Sequence, residues 1–255
     1  MAIYTQAKPV GTPTWVDLAS PDPEKSRNFY QAVFGWEYDV SGPEFGGYAT
    51  ARVGQYPVAG IGGNPPGAEA MPSTWNVYFA TNNIEADIAR ATQHGAQLLF
   101  PAMTIGDFGT MASCLDPNGA AFHFWQAGQH IGFQLNDEPG SVSWFEMYAS
   151  DAKQARDFYS ALLGASVEQM PGELEYYVLK HGDTMLAGIM QIDPSWGDFV
   201  AQWMIYFAVD DADKSVERAK AHGAMVLSEP EDTPYGRLAT LRDPLGATFK
   251  MMKLP

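Results

Sequence analysis

The chain has a single cysteine, Cys114, so no disulfide can form within it and no thiolate cluster can hold a metal. Cys114 stands in "SCLDP", and a similar stretch further on, "TLRDP", has Leu241 in its place. That exchange suits a small buried hydrophobe better than a nucleophile. Positive charge is scarce as well. The sequence sets 15 Lys and Arg against 30 Asp and Glu, a formal net charge of -15. Nucleic acid and anionic membrane surfaces both need a basic footprint, so neither is expected as a partner. No apolar run approaches the roughly 18 residues of a spanning helix. The opening "MAIYTQAKPVGTPTW" lacks a basic segment followed by an apolar one, so no secretory signal is expected and the chain is read as cytoplasmic. What is plentiful is apolar material: 46% of the 255 residues are hydrophobic and 18% charged, which supports a large packed core and argues against disorder.

The sequence is written twice. "TWVDLASPDPEKSRNFYQAVFGWEY" from Thr14 matches "SWFEMYASDAKQARDFYSALLGASV" from Ser143. "TWNVYFATNNIEADIARATQHGAQLL" from Thr74 matches "QWMIYFAVDDADKSVERAKAHGAMVL" from Gln202, and "DPNGAAFHFWQ" from Asp116 matches "DPLGATFKMMK" from Asp243. Two long units are a duplicated domain, not a solenoid. The expected division is 1–127 for the first domain, 128–139 for a linker and 140–255 for the second. A fainter repeat halves each copy, since Trp15, Trp75, Trp144 and Trp203 each open an apolar stretch that leads through a polar turn into a helix.

Each of the four modules starts with a short apolar strand such as "WVDLA". In the first helix Asp22 can cap, Pro23 suits the first turn, and Gly35 can close the helix in a left-handed conformation. Asn83 and Gly95 repeat that grammar. His94 and His222 precede the stop glycines and read as helix-end residues, where partial positive charge is favoured. DPNG and DPLG read as type I turns leading into the last strand of each copy. The unit is therefore β-α-β-β-β, and two units make a domain. "GIGG" at Gly60 has no helix after it, so it is not a phosphate loop.

A βαβββ module with an "FY..LFGW"-type helix and a closing "DP.GA.F" resembles the vicinal oxygen chelate superfamily, which includes glyoxalase I, bleomycin-resistance proteins and extradiol dioxygenases. The tandem arrangement is similar to the actinobacterial 27-kDa-antigen-like glyoxalase-domain proteins. The resemblance implies an α+β fold of tandem duplicated vicinal oxygen chelate domains, with four βαβββ modules forming two half-open eight-stranded barrels. Metal-dependent members place a ligand on the first strand of each module and a Glu on the last strand. Those positions hold Trp15, Asn76 and His123 in the first copy and Trp144, Met204 and Lys250 in the second. Trp cannot ligate, a protonated Lys offers no lone pair, and thioether sulfur is a weak ligand. No metal and no other cofactor is expected.

Strand alternation sorts the faces. Val16, Leu18, Phe145 and Met147 should face the helices. Trp15, Asp17, Asn76, Tyr78, His123 and Trp125 should line the cavity of the first domain. Trp144, Glu146, Tyr148, Met204, Tyr206, Lys250 and Met252 should line that of the second. Each copy then carries one inward carboxylate and one inward base, Asp17 with His123 and Glu146 with Lys250. These four are the candidates for any catalytic role. One reading makes them ion pairs that tie the barrel strands together, with both bases raised in pKa. A second lets them orient a polar ligand or move a proton, with Asp17 setting the protonation of His123. The aromatic side chains are either core or the walls of a planar small-molecule site. The expected function is binding of a small, aromatic or antibiotic-like molecule in a metal-free barrel cavity, by a monomer or homodimer. The alternatives are a glyoxalase-like lyase, isomerase or dioxygenase with an atypical site around His123, and a structural or interaction protein with closed cavities.

Overall fold

The structure is a computed structural model that describes residues 2–172 and 175–255. A two-residue strand, β1 (Ala2–Ile3), precedes four βαβββ modules. The first is β2 (Pro13–Ser20), α1 (Pro23–Phe34), β3 (Glu37–Val40), β4 (Ala49–Val53) and β5 (Tyr56–Gly63). The second is β6 (Thr74–Thr81), α2 (Ile84–Gln93), β7 (Gln97–Ile105), β8 (Gly109–Leu115) and β9 (Ala121–Ala127). After a short β10 (Leu135–Asn136), the third is β11 (Val142–Ala149), α3 (Ala152–Leu163), β12 (Ser166–Met170), β13 (Tyr176–His181) and β14 (Thr184–Gln191). The fourth is β15 (Gln202–Ala208), α4 (Ala212–Ala221), β16 (Met225–Thr233), β17 (Gly236–Arg242) and β18 (Thr248–Lys253).

The helix signals act as the residues dictate. Asp22 accepts from Lys25 N–H ahead of Pro23, Asn83 accepts from Ala86 N–H, and Gly35 ends α1 at φ 72°. His94 and His222 are the C-caps of α2 and α4. Cys114 is fully buried, and burial raises its thiol to about 11, the opposite of an activated thiolate.

Each half forms a strongly curved sheet that stays open along one side. The strand orders are β3-β4-β5-β2-β6-β9-β8-β7 and β12-β13-β14-β11-β15-β18-β17-β16. The first strands of paired modules, β2 with β6 and β11 with β15, meet antiparallel at the centre, and each runs parallel to a later strand of its own module. β1 crosses to the second half, where it pairs with β10 beside β11.

The helices lie between the halves, α1 against α4 and α2 against α3, and one continuous core takes residues from both. The recurring motifs meet there. Tyr30 of α1 donates to Asp243 of the DPLG turn at 3.0 Å and accepts from Trp75 Nε1 at 3.0 Å. Tyr159 of α3 donates to Asp116 of the DPNG turn at 2.8 Å and accepts from Trp203 Nε1 at 2.9 Å. The Asp residues thus form their turns with one oxygen and bind the opposite domain with the other. This arrangement leaves the inner sheet faces away from the interface.

Candidate functional site

Strand register lines up the inner side chains. In the first domain Asp17 lies between Gly60 and Asn76, and the next row runs Trp15, Tyr78, His123, Ser113. In the second, Glu146 lies between Gly188 and Met204, and the next row runs Trp144, Tyr206, Lys250, Thr240. Val16, Leu18 and Met147 go to the helix-side core as their alternation requires.

Asp17 is buried and accepts from three neutral donors: Asn76 Nδ2 at 2.9 Å, Tyr78 Oη at 2.9 Å and Tyr48 Oη at 3.2 Å. Burial holds its carboxyl above the ordinary value, and these three bonds pull it back. Tyr48 itself accepts from Trp15 Nε1 at 2.8 Å. It lies flat on the sheet because residue 60 is glycine; a Cβ there would stand 1.8 Å from the Tyr48 hydroxyl. The second domain repeats the device. Trp144 Nε1 donates to Tyr176 Oη at 3.3 Å, and a Cβ on Gly188 would stand 2.1 Å from that hydroxyl.

The bases differ. His123 makes no bond to Asp17. Its Nδ1 meets Ser113 Oγ at 2.7 Å, its ring stacks on Tyr78 with centroids 4.7 Å apart, and its Nε2 is buried with no partner among the described residues. Burial lowers its pKa to about 4, so the ring is neutral at pH 7. The expected Asp17–His123 ion pair is therefore corrected: desolvation discharges the ring, and neutral donors satisfy the carboxylate. In the second domain a pair does form. Lys250 Nζ is 3.7 Å from Glu146 Oε2 and donates to Tyr148 Oη at 2.6 Å and Tyr206 Oη at 2.9 Å, while Tyr206 donates to Glu146. Here the expected rise in pKa is also corrected, because burial lowers the Lys250 ammonium more than Glu146 raises it.

The surroundings separate the two faces further. Met204, Tyr148, Tyr206 and Met252 form a small apolar cluster of the second domain, packed against Trp144 and Phe199. Phe199 and Trp196 reach over Tyr148 with ring centroids 5.4 and 5.9 Å away. In the first domain the chain following β9 packs against the concave face. Gly128, Gln129 and His130 bond through their N–H groups to Asp107 and Phe108 carbonyls. This sets the His130 ring 4.3 Å from Trp15 and 5.5 Å from Trp125, whose Nε1 donates to His130 carbonyl at 2.8 Å. Phe45 and Phe108, from opposite edges of the sheet, touch edge to face at 5.4 Å.

Tyr48, Tyr176, Ser113 and His130 are the residues that alternation on the quoted strands did not reach. Tyr48 and Tyr176, like Gly60 and Gly188, stand at matching places of the repeat, and that pairing was the available signal.

Two packed halves with paired βαβββ modules and polar groups on each concave face define the duplicated vicinal oxygen chelate architecture. The model of the Glyoxalase/Bleomycin resistance protein/Dioxygenase superfamily matches residues 12–124 and 141–251, and the chain belongs to that superfamily. It is 41% identical over 250 residues to CFP32 of Mycobacterium tuberculosis (strain CDC 1551 / Oshkosh), provisionally named a glyoxylase, with 95% of each chain covered. It is 38% identical over 258 residues to the anthracycline biosynthesis protein DnrV of Streptomyces peucetius, covering 96% of this chain and 94% of DnrV. Among solved structures, the Mn(II)-bound glyoxalase from Novosphingobium aromaticivorans has a TM-score of 0.67 at 14% identity, covering 96% of this chain and 82% of that one. The 2,3-dioxygenase LapB from Pseudomonas sp. KL28 has a TM-score of 0.65 at 12% identity, covering 98% of this chain and 93% of that one. At these identities the shared property is the fold.

The metal of such relatives has no matching donor set here. Asp17 is occupied by three donors, His123 presents one nitrogen, and Trp15 and Asn76 complete no shell. Lys250 and Met204 are poorer still. Among the described residues no three His, Cys, Asp or Glu side chains gather as a metal site. Among the described residues, too, no helix is long and apolar enough to cross a membrane.

Proposed function

We propose that the chain binds a small, planar aromatic molecule on the concave face of its first domain, without a metal. The observation that carries this reading is the contrast between the two faces. In the second domain the cation, the carboxylate and two tyrosines satisfy one another beneath Trp196 and Phe199. In the first, an anchored carboxylate and a neutral imidazole lie among Trp15, Tyr78 and Trp125, and the imidazole keeps one nitrogen free. Aromatic walls with a few fixed polar groups are how proteins hold planar ligands. DnrV, named an anthracycline biosynthesis protein, is compatible with a ligand of this kind.

A second reading follows from the free nitrogen of His123. A neutral imidazole is competent for proton transfer, and the glyoxylase name of CFP32 is compatible with catalysis there. Its mark would be turnover of an α-ketoaldehyde thiol adduct that disappears in His123→Phe.

Calorimetric titration with fluorene, a neutral planar tricyclic probe, tests the binding reading. Wild type should bind it. Trp15→Leu should weaken binding at least tenfold and Trp144→Leu should leave it unchanged; the reverse pattern, or no binding to wild type, sinks the reading. Elemental analysis should find no stoichiometric Mn, Fe, Ni or Zn, and EDTA should leave the melting temperature where it was.

A further inference from the structure

We infer that the first domain selects ligands bearing an oxygen acceptor, a ketone or quinone carbonyl, which takes a hydrogen bond from Nε2–H of His123. This inference rests on the proposed binding site and specifies the chemistry that site recognises.

Hydrogen-bond accounting leads to it. Ser113 is buried, and among the described contacts its hydroxyl meets a single polar atom, Nδ1 of His123, at 2.7 Å. A buried hydroxyl proton needs an acceptor, and Nδ1 can accept only when it carries no proton. The neutral ring must then hold its proton on Nε2. That atom is buried and, among the described residues, unpartnered, on a residue 7% exposed. A buried donor left unpaired is costly, and a fold retains such a group where something other than stability uses it.

Two neighbours fix the donor in place. Tyr78 stacks on the ring at 4.7 Å and is itself tied to Asp17, so the imidazole plane cannot swing freely. Asp17 already accepts three bonds, so it offers nothing to a ligand's hydroxyl comparable to what His123 offers a carbonyl. Desolvation keeps the ring neutral down to acidic pH, so the donor is a dipole and not a cation. It therefore suits an uncharged carbonyl; a carboxylate or phosphate would have to be desolvated without a counter-charge. The second domain has no equivalent, because Lys250 spends its protons on Tyr148 and Tyr206.

The test has two parts. Long-range ¹H–¹⁵N spectra of histidine-labelled protein at pH 7, with His123 assigned through His123→Phe, should show the Nε2–H form. Ser113→Ala should shift that ring toward a tautomer mixture. Calorimetry should then compare 9-fluorenone with fluorene, which share a shape and differ by one carbonyl. Wild type should prefer the ketone by about tenfold, the worth of one hydrogen bond. His123→Phe should bind the two alike. A native Nδ1–H ring overturns the inference outright. An Nε2–H ring with equal affinities also overturns it while leaving the binding reading standing, whereas failure of fluorene and fluorenone alike to bind brings down both.

Discussion

Replacing Lys250 by Ala should cost about 3 kcal/mol of folding stability, the lower end of what breaking a buried ion pair costs. The setting fixes that choice. Side-chain exposure is 4% for Glu146 and 13% for Lys250, so little water can solvate a stranded carboxylate. The remaining bond from Tyr206 keeps the loss from the upper end of the range. Glu146→Gln with Lys250→Met removes both charges while keeping the shapes, and should cost about 1 kcal/mol or less, since well-packed neutral replacements are often tolerated. The measurement is a double-mutant cycle of Glu146→Gln and Lys250→Met, with each single variant included, unfolded in urea and monitored by tryptophan fluorescence at pH 7.5. A coupling energy of about 2 kcal/mol is expected for the pair, within the usual range for contacting residues. Asp17→Asn and His123→Phe form the control cycle in the first domain, where no ion pair exists and the two residues are linked through Tyr78, and coupling there should be about 1 kcal/mol or less, below that of the charged pair. Additive behaviour at Glu146 and Lys250 would refute the buried-pair argument. Strong coupling between Asp17 and His123 would refute the claim that the two domains have diverged.

The native His123 ring refuses a proton until about pH 4, while the unfolded ring takes one near 6.5. Its contribution to stability is complete above pH 6.5 and drains away as pH falls toward 4, by about 3 kcal/mol; His123→Phe should be flatter than wild type across that window, and parallel curves would contradict the assigned burial. Gly60→Ala should push Tyr48 off Asp17, since the new Cβ would lie 1.8 Å from its hydroxyl; a crystal structure with Tyr48 in place would show the sheet yielding instead. Tyr159→Phe leaves Asp116 short of one donor and Trp203 Nε1 without an acceptor, at a cost of about 2–3 kcal/mol for groups this buried. Tyr30→Phe should cost as much through Asp243 and Trp75, and the double variant should cost the sum in denaturant unfolding, because the two networks share no partner.

The fold was legible because its signals are local and were written twice. Caps such as Asp22, stops such as Gly35 and the DPNG and DPLG turns each dictate backbone geometry within a few residues. Alternation placed Trp15, Asp17, Asn76, Tyr78 and His123 on one face, and the register agrees row by row. What lies across strands was harder to see. Charge type alone suggests pairing Asp17 with His123, yet residue 113 decides how the imidazole is satisfied and belongs to a neighbouring strand. Tyr48 reaches Asp17 only because Gly60 leaves room, a relation between three strands that no single-strand pattern encodes. His130 falls in the 128–139 linker by sequence, and its position depends on backbone bonds to the Asp107–Phe108 turn.

The same inner positions therefore reached opposite outcomes through three exchanges. Glu146 is one methylene longer than Asp17 and approaches the base strand, where Lys250 meets it. Met204, in the place of Asn76, cannot donate, so the carboxylate must draw its partners from Tyr206 and the ammonium. Tyr148, in the place of Ala19, takes another of the ammonium's protons. Each change makes the second face more self-sufficient. The first face runs the other way: Asn76 lets Asp17 be satisfied without a cation, and this frees the base position to hold a neutral histidine. A neutral histidine with its other nitrogen bound to Ser113 has one proton left to offer. After duplication, one copy closed on itself around a separate apolar cluster, while the other kept a neutral histidine beside aromatic side chains that join the common core.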